Sequence, residues 1–481
     1  MVYIEFCMPN ISAEQLKNFI ASRWDESIFS TMQEYIRIPN VSPDYDHAWQ
    51  ANGHMMRAAT LISDWIDAQN VFGLTKRIVQ KEGETPLIFI EIAGKTSETV
   101  LLYGHIDKQP PLTGWRDGLD PFVPTLQGDR LYGRGAADDG YASFCAITAI
   151  KALQEQGIDH PRCVIILEAC EESGSYNLPA YIEQLADEIG TPSLIVCLDS
   201  GCGDYERMWM TSSLRGVIGG VLRVEILKDG VHSGDASGIV PSSFRIARQV
   251  LSRIEDIESG RVLLPELWTT IPEERQKQMQ DSAVILGADW LDRFPFVPGA
   301  GPVSTDVATA IRAHTWEPAL SVTGASGFPP SNQAGNVLRP FTELKLSMRL
   351  PPGIDAVVAS EAMKKVLEAD APYGAKITFT VESPAAGWSA PAIAPWLASL
   401  VDDVSRTYFG NAPAIMGEGG SIPFMHMLGK RFPEAQFVIT GLLGPESNAH
   451  GPNEFLHIPA FKKITASIAT ILANVPVQSV S

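Results

Sequence analysis

Short runs of consecutive apolar residues alternate with amphipathic stretches through the first two hundred positions. TPLIFIEI (Thr85 to Ile92), TVLLYGHID (Thr99 to Asp107), CVIILEA (Cys163 to Ala169) and SLIVCLD (Ser193 to Asp199) are almost free of polar residues in their interiors. Strands buried on both faces have this texture, and they occur in largely parallel sheets covered by helices. The segments Gly140 to Gln156 and Leu178 to Ile189 read as helices between them, and Ser12 with Gln15 three residues on is a capping signal for an opening helix. The alternation predicts an α/β fold with a mostly parallel sheet.

From about Ser213 the pattern changes. GVIGGVLRVEIL is strand-like and rich in glycine, while ELKLSMRL (Glu343 to Leu350) and KITFTVE (Lys376 to Glu382) alternate polar and apolar positions, as strands with one exposed face do. Helical stretches near 243–254 and 355–368 fall between. This predicts a smaller α+β domain inserted into the first. After AAGWSAPA the α/β texture returns, with a helix from Pro395 to Tyr408 and a strand at AQFVITG. The expected division is 1–212 and 386–481 for one catalytic domain in two pieces, and 213–385 for the insert.

Composition narrows the function. The 481 residues are too many for one simple core, and 45% of them are hydrophobic. A net charge of −19 disfavours nucleic acid and anionic lipid as partners. Six scattered cysteines form no C-x-x-C pair, which argues for reduced, buried thiols and a reducing, cytoplasmic setting. The N-terminus lacks the pattern of a signal peptide, and no apolar run reaches membrane-spanning length.

The polar residues that end these apolar runs carry the chemistry. His105 and Asp107 lie two apart, on one side of a strand, so that Asp107 can accept from the imidazole and fix its tautomer; alone, such a pair reads equally as a surface ion pair. Asp138 and Asp139 precede a long apolar helix, where one of them is expected as N-cap and a carboxylate could also bridge two cations. Glu171 and Glu172 are adjacent acids at a strand exit, costly unless a cation is near. One can bind metal while the other takes a proton from water. Asp199 ends a strand, and His450 sits in a polar loop. An isolated EE pair, a turn Asp or a loop His would be unremarkable; their joint order at strand ends and loops points to a metal centre.

Taken together, YGHIDKQP, GWRDGLDPFVPTLQGDRLYGRGAADDG, EACEESGS, KDGVHSGDASG, MGEGGSIPF and SNAHGPNE resemble the dinuclear metallopeptidase family of carnosine dipeptidase, aminoacylase, succinyl-diaminopimelate desuccinylase and glutamate carboxypeptidase. The likeness is strongest to the dipeptidase branch. It implies a pair of zinc or manganese ions (cobalt being a further candidate) held by His105, Asp138, Glu172, Asp199 and His450. Asp138 would bridge, and Glu172 would sit opposite His105 or share its sphere. It implies Glu171 as general base toward a shared, activated water, Asp107 as the support of His105, and a cis peptide after Asp138. It implies a homodimer formed through the inserted domain, with His232 reaching the partner's site to steady the oxyanion. Arg349 would bind a substrate carboxylate, with Asn336, Ser421 and Gly420 also at the substrate.

The chain departs from the usual phrases at DDGYAS, at GPNE and at Arg339 in NVLRP; none removes a ligand, and all bear on the substrate. The expected reaction is hydrolysis of a dipeptide with a free carboxylate. An N-acyl amino acid or related small amide is the alternative substrate, and a catalytically dead dimeric binding protein is the non-enzymatic one. His47, His54, His160, His314, His426 and His457 are expected to be structural or at the surface. No G-x-S-x-G or P-loop is present.

Overall fold

A computed structural model describes residues 11–477; Cys7 lies outside them. Six strands lie side by side in the order Leu74–Val79, Leu87–Ile92, Arg162–Glu168, Thr99–His105, Leu194–Cys197 and Gln436–Ile439. The last four run parallel. The first two form an antiparallel hairpin that joins at Arg162–Glu168. The expected largely parallel sheet is present, with an antiparallel edge.

Alternation along each strand feeds two cores. Val100 and Leu102 face a layer built on the helices Tyr141–Glu155 and Ile458–Ala473, whereas Leu101 and Tyr103 face Tyr181, Phe424 and Phe437. Both faces are covered, so the interiors of the four parallel strands contain no charge, and each fully buried Leu or Ile contributes about 1.5–3 kcal/mol. The parallel strands all end at the same edge of the sheet. That edge carries His105, the turn after Glu168 and, two residues past Cys197, Asp199.

A second, fully antiparallel sheet orders Ala319–Ser326, Phe341–Leu350, Gly216–Glu225 and Lys376–Ala385. Strict alternation of burial in two of its strands reflects one face covered by the helices Ser243–Leu251 and Ala356–Glu368. The helices Glu273–Leu286 and Val307–Trp316 pack elsewhere, on the strand Ala414–Glu418, around Trp209, Trp290 and Trp316. Ala414–Glu418 pairs with Trp209–Leu214, which continues through Arg215 into the antiparallel sheet. The two architectures thus meet at Arg215.

Local details correct the sequence reading in three places. Ser12 accepts the N–H of Gln15 at 3.3 Å, but its own N–H is taken by Gln156 rather than Gln15. The predicted helix Leu178–Ile189 is two short helices, Leu178–Gln184 and Ala186–Ile189. Neither Asp138 nor Asp139 caps the helix Tyr141–Glu155: its N-cap is Gly140, without a side-chain bond, because both carboxylates turn into the site.

Candidate metal centre

Asp138 stands between two imidazoles. Its Oδ1 lies 3.2 Å from His105 Nε2, and its Oδ2 lies 3.0 Å from His450 Nε2. Asp199 Oδ1 adds a second acid to the His105 side at 3.7 Å, and Glu172 Oε2 adds one to the His450 side at 3.2 Å. The five sequence-predicted ligands therefore come together as two half-shells sharing one carboxylate. His105, Asp138, Glu172 and Asp199 are buried, while the His450 side chain keeps 59% of its surface open.

Asp107 organises the strand exits. Its carboxylate accepts the N–H groups of Glu171 and Glu172 at 3.1 and 3.0 Å and the Ser42 hydroxyl at 2.6 Å. His105 Nδ1 faces both the Asp107 carbonyl, at 3.1 Å, and its carboxylate, at 3.5 Å. One side chain thus sets the imidazole's orientation and the turn that presents the two glutamates. Gln109 donates to Glu172 Oε2. The Asp138–Asp139 peptide is cis.

Electrostatics follow from the crowding. Burial and then Asp199 push the Glu171 carboxyl well above the usual range. Burial and Asp138 push Glu172 up to about 7. Burial disfavours a charged His450, but its bonds to Asp138 and Glu172 outweigh this and raise it to about 11. His105 is also raised, against burial, by Asp199, Asp107 and Asp138. Asp138 is held low by the two imidazoles despite burial. The acids are frustrated by one another and the imidazoles draw protons to compensate, which is work a divalent cation performs better.

The donor set fits such ions. Ligand atoms of His105, Asp138 and Glu172, and of His105, Asp139 and Asp199, lie within 4.8 Å of one another. Glu172 Oε1 and Asp139 Oδ1 are buried without a hydrogen-bond partner. Asp139 is closer to the centre than the sequence suggested, but its Oδ2 is engaged by the His105 N–H at 3.3 Å. Asp138 alone faces both imidazoles. Mixed imidazole and carboxylate donors suit zinc, manganese or cobalt.

A second group forms where the two architectures meet. Arg349 donates to Ser421 Oγ at 3.2 Å, and Ser421 donates to the Arg215 carbonyl at 2.5 Å. Arg215, 7% exposed, donates to the Gly419 carbonyl. Burial and then Arg349 lower its guanidinium to about 10. His314 occupies the space a side chain at Gly419 would need, and burial, Arg215, Arg293 and Arg349 hold its ring down to about 3. Glu418 fills the position of a side chain at Gly201, two residues past Asp199, so this loop adjoins the metal centre. Gly420 opens onto free space. The structure thus brings the expected Arg349 and Ser421 together with Arg215 and His314, which carry no local signal in the sequence.

His232 and Asn336 form a third group. His232 lies on a two-stranded ribbon with Val337–Leu338, is exposed, and its Nδ1 accepts the Gly234 N–H. Asn336, also exposed, takes the Ser233 N–H on its carbonyl. Among the described residues, no hydrogen bond or ion pair joins either side chain to the metal centre of the same chain.

Acids and imidazoles gathered at the C-terminal edge of a parallel sheet define an enzyme, a metal-dependent hydrolase. Residues 101–474 match Peptidase family M20/M25/M40, and the chain belongs to that family. It is 26% identical over 457 residues to cysteinylglycine-S-conjugate dipeptidase of Corynebacterium striatum, covering 93% of this chain and 95% of the relative. It is 26% identical over 389 residues to human Beta-Ala-His dipeptidase, covering 77% and 73%. The fold matches the crystal structure of human carnosine dipeptidase 1 with a TM-score of 0.79 at 22% identity, over 97% of this chain and 100% of that one. The Dug1p di-peptidase of Saccharomyces cerevisiae gives 0.78 at 21%, over 96% and 98%.

Proposed function

We propose that the protein is a dipeptidase acting on substrates with a free carboxylate, and that His105, Asp138, Glu172, Asp199 and His450 hold two divalent ions, zinc or manganese. The observation that carries the reading is the placement of Asp138, with one oxygen toward each imidazole. Bound there, such ions supply Lewis acidity toward the amide carbonyl and acidify water.

The chain's own residues do the rest. Glu171, its proton affinity raised by burial and by Asp199, accepts the proton of the attacking water and returns it to the leaving amine. Asp107 holds His105 and the glutamate turn in register. Arg349, with Ser421 and the open backbone at Gly420, takes the substrate carboxylate, and the low-lying, neutral His314 leaves the cationic charge to the arginines. His232 of the partner subunit steadies the oxyanion, with Asn336 beside it; its exposure on the ribbon, where its ring is bonded to the Gly234 N–H and to no ligand of its own centre among the described residues, supports a role in trans. A homodimer through the inserted domain, with the chain divided at about 212 and 385, completes the reading. The five described cysteines are all unpaired, which supports a cytoplasmic setting. No helix among the described residues is long and apolar enough to cross a membrane.

Hydrolysis of a dipeptide and N-acyl amino acid library, with zinc and manganese supplied separately to chelated protein, tests the reading. Dipeptides are expected to dominate kcat/KM. Preference for N-acyl amino acids would replace the dipeptidase reading by an amidohydrolase, and absence of turnover with both metals would remove it.

A further inference from the structure

One ion pair ties together the loops that carry the metal ligands. Arg134 and Glu454 are 320 residues apart, 1% and 0% exposed, and joined at 2.9 Å. Glu454 spends its carboxylate on main chain: Oε2 accepts the N–H of Gly135 at 3.0 Å, and Oε1 accepts those of Ala137 and Asp138 at 3.1 and 3.2 Å. Arg134 uses its remaining nitrogens on two other loops. It donates to the Gly451 carbonyl at 2.7 Å, one residue past His450, and to the Pro110 carbonyl at 3.1 Å, three past Asp107.

The geometry of the His450 loop explains why it needs an external tie. Glu446, Asn448, His450 and Asn453 all have positive φ, at 65°, 52°, 62° and 68°. Side chains disfavour that region, Asn least, so the loop does not keep this shape through local preference. Replacing a buried pair of this kind by apolar residues need not cost stability. Its value lies in aim, since one fork ties Gly451, beside His450, to Pro110, beside the Gln109 that donates to Glu172.

We propose that Arg134 and Glu454 form a positioning pair for the metal centre: Arg134 sets the His450 loop against Asp138, and Glu454 sets the Asp138 backbone itself. The two members then have different effects. Arg134 bears on the half-shell of His450 and Glu172. Glu454 bears on both half-shells, because Asp138 is shared. The inference rests on the ligand assignment proposed above.

Calorimetric titration of the chelated, full-length protein with Zn²⁺ tests it. Arg134→Lys keeps the buried charge but cannot span Glu454, Gly451 and Pro110 together. It is expected to weaken one of two ions by about 10- to 100-fold, the usual cost of losing a group that orients a ligand, and to leave the other within a few-fold. A merely structural role would move both ions together or neither, and either result overturns the proposal. Should Arg134→Lys fail to accumulate as folded protein, Glu454→Gln carries the test: weaker binding of both ions at an unchanged melting temperature of the metal-free protein supports the pairing, whereas wild-type binding, loss of one ion only, or weaker binding that accompanies a fall in that melting temperature overturns it. His450→Ala separates the two levels of argument. If it still binds two ions at wild-type affinity, the ligand assignment is wrong; if it loses one while Arg134→Lys loses none, only the positioning role is wrong.

Discussion

Glu171 and Glu172 are neighbours in sequence with different fates, and the difference is one of direction. Glu172 is bonded to Gln109 and His450, while the Glu171 carboxyl lies among Asp199, His105 and Asp107 with a raised proton affinity. A base of that kind contributes about 10²- to 10⁴-fold to the rate. Glu171→Gln is therefore expected to lower kcat by that factor, with KM changed only a few-fold and metal content unchanged by elemental analysis. A variant that keeps its kcat would remove the base assignment, and one that loses metal would make Glu171 a ligand. Residues of this class were legible in the sequence because each one interrupts or ends an apolar run: His105, Glu171 and Asp199 are polar where the strand pattern stops. Residues that act through distant contacts were not legible. Lys108 is wholly buried and donates to the carbonyls of Tyr35, Ile36 and Ile38, closing the end of a helix some seventy positions earlier. Nothing in KQPPL announces that, just as nothing near Arg215 or His314 announces a neighbouring arginine.

Strand ends direct the loops of the centre, and one of them contains a titrating group the proposed reaction does not use. Glu168 closes the strand Arg162–Glu168, accepts the hydroxyls of Tyr103 and Ser175 on Oε1 at 2.6 and 2.8 Å, and leaves Oε2 buried without a partner. Burial drives its carboxyl up to about 7, opposed by the Tyr103 bond. In the unfolded chain it titrates near 4.3. The folded state therefore binds the proton more tightly, so its stabilising effect is complete below about pH 4.3 and disappears as the pH rises through about 7, a swing of roughly 4 kcal/mol at most. Glu168→Gln cannot titrate. The melting temperature of chelated wild type should fall relative to that of Glu168→Gln between pH 5 and 8; parallel curves would show that Glu168 is already ionised in the folded protein. At this scale the sequence conveyed the elements well where burial was two-sided or strictly alternating, as at Thr99–His105 and Phe341–Leu350. It failed where tertiary bonds replaced local ones, as at Gly140, where an acidic N-cap was expected and the acids were drawn into the site instead.

The whole molecule poses the question of whether one chain holds a complete site. Within a chain, Glu171 belongs to the parallel sheet's edge, whereas His232 sits on an exposed ribbon, its ring bonded among the described residues only to the Gly234 N–H. If His232 acts on the partner's substrate, each site of a dimer takes Glu171 from one chain and His232 from the other. Two separately inactive proteins, Glu171→Gln and His232→Gln, then become partly active when exchanged into mixed dimers. One site of each mixed dimer is built from the intact Glu171 of one chain and the intact His232 of the other; the second site carries both substitutions. Random exchange of equal amounts makes half of the dimers mixed, so about a quarter of wild-type kcat is expected to return. The recovery should follow the rate of subunit exchange and vanish if the dimers are cross-linked before mixing. If His232 acts within its own chain, no mixed dimer contains an intact site, and activity stays at the sum of the two parents. The size of the recovered signal thus separates action in trans from action in cis, whichever dipeptide is used as substrate.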